Sequence, residues 1–269
     1  MTSPRANSRP QPIASFDALC RVFAGKDRDA IAQALPRHRD DLVRLLLQGL
    51  GATHAQRTQR FEALVRVALQ GLQDYPSVLH IACTPAWDRV SIVPHHTAAL
   101  VTLYLTLVSV SPPYTDVLGA LHARVLAQFG GEGLGQFFTP PDLADLTAAL
   151  GLDHFARYPR AERTGPMRIH DPACGAGALL LAQFRGDCFR TEHCAVLAED
   201  IDPMCCALTA LQLSVNAVCH HRPLHELTVL CGNTLTQDLN APVFFHSQRR
   251  AAFPDPHTEA PAPMQGELA

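Results

Sequence analysis

Between Met167 and Leu235 the hydrophobic pattern switches repeatedly between strand and helix, and that alternation constrains the fold more than any other feature. Met167–His170 reads as a short strand. The glycine turn Asp171-Pro-Ala-Cys-Gly-Ala-Gly177 follows, and a helix then runs through Phe184. Cys194–Ala198 is a second strand, leading through Glu199-Asp-Ile-Asp-Pro203 into a helix that reaches Val218. Leu227–Cys231 is a third, closed by Gly232-Asn-Thr-Leu235. Strands separated by helical stretches build βαβαβ, half of a doubly wound nucleotide-binding sheet, because parallel neighbours need helical crossovers.

The chain before this point reads as helices. Ser15 caps Phe16–Ala24 and Gly25 ends it, while Asp27 opens a stretch interrupted at Pro36. Asp41–Leu50 and Thr53–Leu72 place Leu, Val and Phe at helical spacing. His96–Val108 and Thr115–Phe129 continue the pattern, whereas the proline-rich stretch Tyr75–Pro94 shows no clear period. Gly130, Gly131, Gly133 and Gly135 form a joint, and Thr139 with Pro140 starts a helix over Asp142–Leu150. The expected organisation is an all-helical N-terminal domain over 1–129, a partial sheet domain over 130–240, and a Pro-rich, disordered tail over 241–269. Within that tail only Val243-Phe244-Phe245 reads as strand-like.

Composition narrows the class. The longest apolar run, Ala98–Val110, is too short to span a bilayer and contains Thr102 and Thr106, so no membrane partner is expected. Met1–Pro12 has no apolar core of a signal peptide. The cysteine count is 9, odd and without a C-x-x-C pair. Together these predict a reducing cytoplasm and small buried thiols rather than disulfides or a zinc site; no metal is expected. The charge is uneven: 13 Lys and Arg against 9 Asp and Glu up to residue 130, then 9 against 16. A basic helical half beside an acidic half suits contact with a phosphate backbone, although a solvated helix face has the same composition.

Asp171–Gly177 lies where such folds bind nucleotide-type ligands, at the carboxyl end of the first strand. Gly175 and Gly177 let the backbone come close to a ligand, and the following helix offers N–H groups. Position 180 is Leu, so this is not the dinucleotide G-x-G-x-x-G. The carboxylate of Asp171 suits an ammonium group. Asp200, at the tip of the second strand, suits ribose hydroxyls, with Glu199 and Asp202 as competitors. An ammonium, a ribose and no diphosphate describe S-adenosylmethionine.

Gly135-Gln-Phe-Phe-Thr-Pro140, Asp171–Leu179, Glu199–Pro203 and Gly232–Leu235, in this order and spacing, resemble adenine-specific DNA methyltransferases. The likeness is greatest to the modification subunit of type I restriction systems. It covers Val117 to Leu235, including the lead-in Asp116-Val-Leu-Gly119. It implies an abbreviated Rossmann-like methyltransferase sheet of α/β class and DNA as substrate. It also implies that Gln136, Phe137, Phe138, Thr139 and Pro140 cover the cofactor, with Thr139 near its carboxylate. Asp171 would meet the amino group, and Ala173, Gly175, Ala176 and Gly177 would lie beneath the methionine part. Asp200 would hold the ribose and Asn233 would lie near the adenine ring. The family carries Ser where this chain has Ala176, and Asp where it has Asn233.

The same resemblance calls for [D/N/S]-P-P-[Y/F] after a fourth strand, and no such tetrapeptide follows Leu235. Two weak catalytic candidates remain. One is Asn240, in Asn240-Ala-Pro-Val-Phe244; the other is Ser111, Pro112, Pro113 and Tyr114, which spell the motif ahead of the cofactor segment and also read as a proline helix break. The resembled fold has a seven-stranded sheet with the first strand near its middle. With three strands that first strand is an open edge, which makes a second chain completing the sheet an expected partner besides DNA. The rival readings are a non-catalytic cofactor- or DNA-binding subunit or regulator, and a truncated methylase that needs a partner chain.

Overall fold

The computed structural model describes residues 15–25, 27–73, 79–126, 139–156, 165–185, 190–236 and 241–250. Helices α1 (Phe16–Ala24), α2 (Arg28–Ala34), α3 (Arg39–Leu50) and α4 (His54–Gln73) come first. Strand β1 (Leu79–Cys83) precedes α5 (His95–Val110), α6 (Leu118–Leu126) and α7 (Pro141–Ala156). Then come β2 (Met167–Asp171), α8 (Ala178–Arg185), β3 (Cys194–Asp200), α9 (Pro203–Cys219), β4 (Glu226–Cys231) and β5 (Val243–Arg249). The strands form one sheet in the order β1-β5-β4-β3-β2. β2, β3 and β4 are mutually parallel, and β5 is antiparallel to both β4 and β1.

The chain is therefore α/β, with a helical N-terminal region ahead of an abbreviated Rossmann-like sheet. Two expectations are corrected. The N-terminal half is not all helix, since β1 forms the far edge of the sheet. The segment from 241 does not begin as a loose tail, since β5 sits inside the sheet between β1 and β4. Neither carries a long apolar run: His80 interrupts β1, and in β5 Phe245 and Ser247 are buried while His246 and Gln248 point the other way. A short alternating segment carries little signal until a partner strand satisfies its backbone, and the partner here lies far off in sequence. Helix α7 also starts one residue later than the Thr139-Pro140 reading, with the carbonyl of Pro140 accepting from Leu143 and Ala144.

Stepping from β2 to β3 to β4 in one direction, right-handed crossovers put α8 and α9 on the same face. Val196, Ala198, Leu227, Val229 and Phe245 form the buried side of the sheet. Helix α9 packs between that side and the layer of α4, α5 and α6, and every residue from Cys205 to Ala217 is buried. The opposite face is mixed, with Leu197, Leu230 and Phe244 among polar side chains. Arg168 and His170 are exposed there, and the Thr228 hydroxyl meets His246 Nδ1 at 3.0 Å. At the other end of the sheet from β1, β2 pairs only with β3 among the described residues. No described helix is long and apolar enough to cross a membrane.

The N-terminal layer closes tightly around Gly49 on α3. A Cβ there would lie 2.5 Å from Phe16 Cε2 and 2.7 Å from Leu100 Cδ2. Both neighbours are buried and cannot swing aside. Gly49→Ala gains about 1 kcal/mol of helix propensity, but overpacking costs roughly 1–3 kcal/mol. The expected result in urea unfolding is a net loss of about 1 kcal/mol.

Candidate cofactor site at the carboxyl ends of the parallel strands

Strand β2 ends on Asp171, and the chain turns through Pro172–Gly177 into α8. Gly175 has φ +52° and Gly177 has φ +83°, conformations that favour glycine. The turn is tied to β3 from above: Cys174 N donates to the Glu199 carbonyl at 2.8 Å and Gly175 N to Asp200 Oδ2 at 2.8 Å. It is tied to α9 from below. The Thr209 hydroxyl donates to the Gly175 carbonyl at 2.9 Å and Gln212 Nε2 to the Ala176 carbonyl at 2.8 Å. A side chain on Gly177 would approach Thr209 Oγ1 to 3.1 Å, so helix and turn fit closely only with glycine.

The two expected carboxylates come together at the ends of adjacent strands. Asp171 is buried, and its Oδ1 accepts from Ala173 N at 3.3 Å. Burial raises its pKa, the Asp200 charge adds to the rise, and the Ala173 N–H and His170 oppose it. Asp200 also accepts from Asp202 N at 2.9 Å through Oδ1. A carboxylate offers about four acceptor positions, so two backbone bonds leave room for a ligand hydroxyl.

The competitors of Asp200 are occupied. Asp202 caps α9, accepting from Met204 N at 2.8 Å ahead of Pro203. Glu199 Oε1 meets His170 Nε2 at 2.9 Å, and its Oε2 lies 2.9 Å from the Thr234 hydroxyl. That hydroxyl is also 2.8 Å from the Pro172 carbonyl. Thr234 thereby pins the loop after β4 against the glycine turn. Asn233 is exposed in that loop, its Oδ1 accepting from Leu235 N at 3.0 Å. Thr139 is half-buried and Pro140 exposed ahead of α7, whereas Gln136, Phe137, Phe138 and Asn240 lie outside the described residues.

Ser111–Tyr114 is corrected to a structural element. The Ser111 hydroxyl donates to the Leu107 carbonyl at 2.7 Å as α5 ends, and Pro112 and Pro113 make the break. Tyr114 is fully buried with φ 58°. Its N–H donates to Asn216 Oδ1 at 2.6 Å, its hydroxyl to the Arg222 carbonyl at 2.5 Å, and its ring packs on Phe184. Asn216 lies about 6 Å along α9 beyond Gln212, at 1.5 Å per residue. Buried, and with its N–H, hydroxyl and ring all committed to packing, Tyr114 presents no face to a ligand.

Sequence reasoning missed Thr209, Gln212, Asn216 and Thr234. The first three were detectable as a polar stripe, at spacings of three and four, in an otherwise apolar helix. The cysteines Cys174, Cys194, Cys205 and Cys206 are buried, and burial pushes the Cys174 thiol up to about 12. Among the described residues no group of three or more His, Cys, Asp or Glu could hold a metal ion.

A glycine turn at the carboxyl ends of parallel strands, with Asp171 and Asp200 on the adjacent strand ends, is a Rossmann-like arrangement. Residues 114–251, just over half of the chain, match the N-6 DNA Methylase family model. The chain belongs to the N-6 DNA methylase family. Among solved structures it is similar to the type I restriction-modification system methyltransferase subunit from Streptococcus thermophilus. That likeness has 16% sequence identity and a TM-score of 0.36, covering 84% of this chain and 48% of the other. The chain thus spans about half the length of that subunit. No curated protein sequence matches it.

Two outcomes follow from the geometry. Tyr114→Phe removes one buried hydrogen bond and is expected to cost about 0.5–1.5 kcal/mol in chemical denaturation. Asp171, whose pKa is raised in the folded state, stabilises the fold below its unfolded pKa and loses that contribution as pH rises through the folded value. Asp171→Asn is therefore expected to raise the melting temperature of the ligand-free protein at pH 7. The difference from wild type should shrink on acidification.

Proposed function

We propose that the chain binds S-adenosylmethionine at this site and is the cofactor-binding part of an adenine-specific DNA methyltransferase. The observation that carries the reading is the pairing of Asp171 and Asp200 around the glycine turn. Two neighbouring carboxylates repel a diphosphate, and an ammonium beside Asp171 relieves the burial of its charge. In this reading Asp171 accepts from the cofactor's ammonium, and Ala173, Gly175, Ala176 and Gly177 run beneath its methionine part. Asp200 accepts from the ribose, Asn233 lies by the adenine ring, and Gln136–Pro140 close over the top. S-Adenosylmethionine, when bound, supplies an electrophilic methyl group.

Methylating an adenine amino group also needs the base turned out of the duplex, stacked, and gripped by acceptors on its N–H groups. None of the residues gathered at the site performs that task, and Ser111–Tyr114 is committed to packing. The free edge of β2, beside Asp171, is where a strand bringing those acceptors fits: its outward N–H and C=O groups lack a partner strand among the described residues. In this reading a second polypeptide docks there and completes both the sheet and the catalytic site. DNA is then the substrate and the cytoplasm the compartment. A second reading is a cofactor-binding subunit without turnover of its own, favoured by the packing of Ser111–Tyr114, the one [D/N/S]-P-P-[Y/F] in these residues.

Isothermal titration with S-adenosylmethionine tests the shared part of both. Asp171→Ala and Asp200→Ala are each expected to weaken binding about 10- to 100-fold, the range for a hydrogen bond to a charged group. Unchanged affinity in both would remove the site assignment. Transfer of labelled methyl to unmethylated DNA separates the two readings. Label on adenine that is lost in Asp171→Ala supports the enzyme, and cofactor binding without transfer supports the subunit.

A further inference from the structure

Gln212, near the middle of α9, is fully buried and uses all four hydrogen bonds that an amide side chain can make. Its Oε1 accepts from Val117 N and Leu118 N, both at 2.9 Å. Its Nε2 donates to Asp116 Oδ1 and to the Ala176 carbonyl, both at 2.8 Å. The first two bonds satisfy N–H groups at the start of α6 that have no partner within that helix. The last reaches the peptide at the centre of the glycine turn. One side chain thus joins segment 116–118 to the turn at 175–177. Asp116 completes the unit, its Oδ1 also accepting from Gly119 N at 2.8 Å.

Peptide planarity turns this into control of the turn's shape. Fixing the Ala176 carbonyl fixes the N–H of Gly177, which donates to the Cys174 carbonyl at 2.7 Å. Thr209, one helical turn earlier, fixes the Gly175 carbonyl and with it the N–H of Ala176. Two successive peptide planes are held between glycines whose backbone would otherwise sample several conformations. Packing alone does not call for an amide here, since the neighbours on α9 are mostly apolar and a buried amide is costly unless every bond is made.

We propose that Gln212, oriented by Asp116, is a positioning residue for S-adenosylmethionine: it holds the Asp171–Gly177 turn in its ligand-accepting shape before the ligand arrives. The inference rests on the cofactor reading above. A preformed turn lowers the ordering cost of binding, so loosening it weakens affinity without removing any group that touches the ligand.

The test is titration of S-adenosylmethionine into the full chain, together with amide hydrogen exchange of residues 175–178 without ligand. Gln212→Glu keeps the side-chain volume and the acceptor for Val117 and Leu118. It also places a carboxylate oxygen against the Ala176 carbonyl and Asp116. Its Kd is expected to rise at least about tenfold, with faster exchange in the turn while unfolding stays cooperative. Asp116→Asn keeps an acceptor for Gln212 and is expected to bind within about threefold of wild type. Wild-type affinity and unchanged exchange in folded Gln212→Glu overturn the inference alone. A wild-type chain that does not bind S-adenosylmethionine overturns the cofactor reading and the inference together. If Gln212→Glu does not fold, Gln212→Asn, an amide one methylene shorter, is read in its place. Unfolding of both assigns Gln212 to folding and overturns the positioning role.

Discussion

The burial of helix α9 organises the molecule. Its run from Cys205 to Ala217 meets the sheet on one side and α4, α5 and α6 on the other, so both layers share a single core. A helix buried all round has no solvent to satisfy a polar side chain, and Thr209, Gln212 and Asn216 must each find a partner in the protein. They find three: the glycine turn, the start of α6 and Tyr114. The stripe holds the helical region in fixed register with the glycine turn. Tyr114, where the family match begins, is part of that scaffold.

The geometry of the rim separates residues of one chemical type by what each already does. Glu199, Asp200 and Asp202 are neighbours in sequence and equivalent by charge. Strand alternation and the start of α9 give them different tasks: a bridge to His170 and Thr234, a brace for Gly175, and a helix cap. The brace is the one whose carboxylate stands beside Asp171 at the end of the neighbouring strand. The sheet is also built for one covered face. Buried residues alternate with partly exposed ones along β3, β4 and β5, as a helix layer on one side requires.

Much of this was legible beforehand. The strands β2, β3 and β4 and the glycine turn stand out because parallel, core-facing strands are short apolar runs bounded by turn residues. The N-terminal helices stand out because their apolar residues recur at helical spacing. The strands β1 and β5 did not. β1 is five residues with one polar side chain, β5 runs from the apolar Val243-Phe244-Phe245 into His246-Ser247-Gln248-Arg249, and each becomes a strand only when the other lies alongside. Ser111–Tyr114 misled for a related reason: a tetrapeptide reports spelling, and only its burial and its bonds to Asn216 and Arg222 report its task.

By itself the sequence determined the α/β class, the order of the parallel strands and helices, and the chemical character of the turn that carries Asp171. These depend on local periodicity, on glycine's access to positive φ and on the charge of single residues, all of which are properties of short segments. Tertiary structure alone decided that residues 79–83 and 243–249 pair and that Tyr114 is structural. It also decided that Gln212 joins α6 to the glycine turn. Those outcomes depend on which distant backbone groups and buried amides meet, and hydrogen bonds between remote segments leave almost no trace in local pattern.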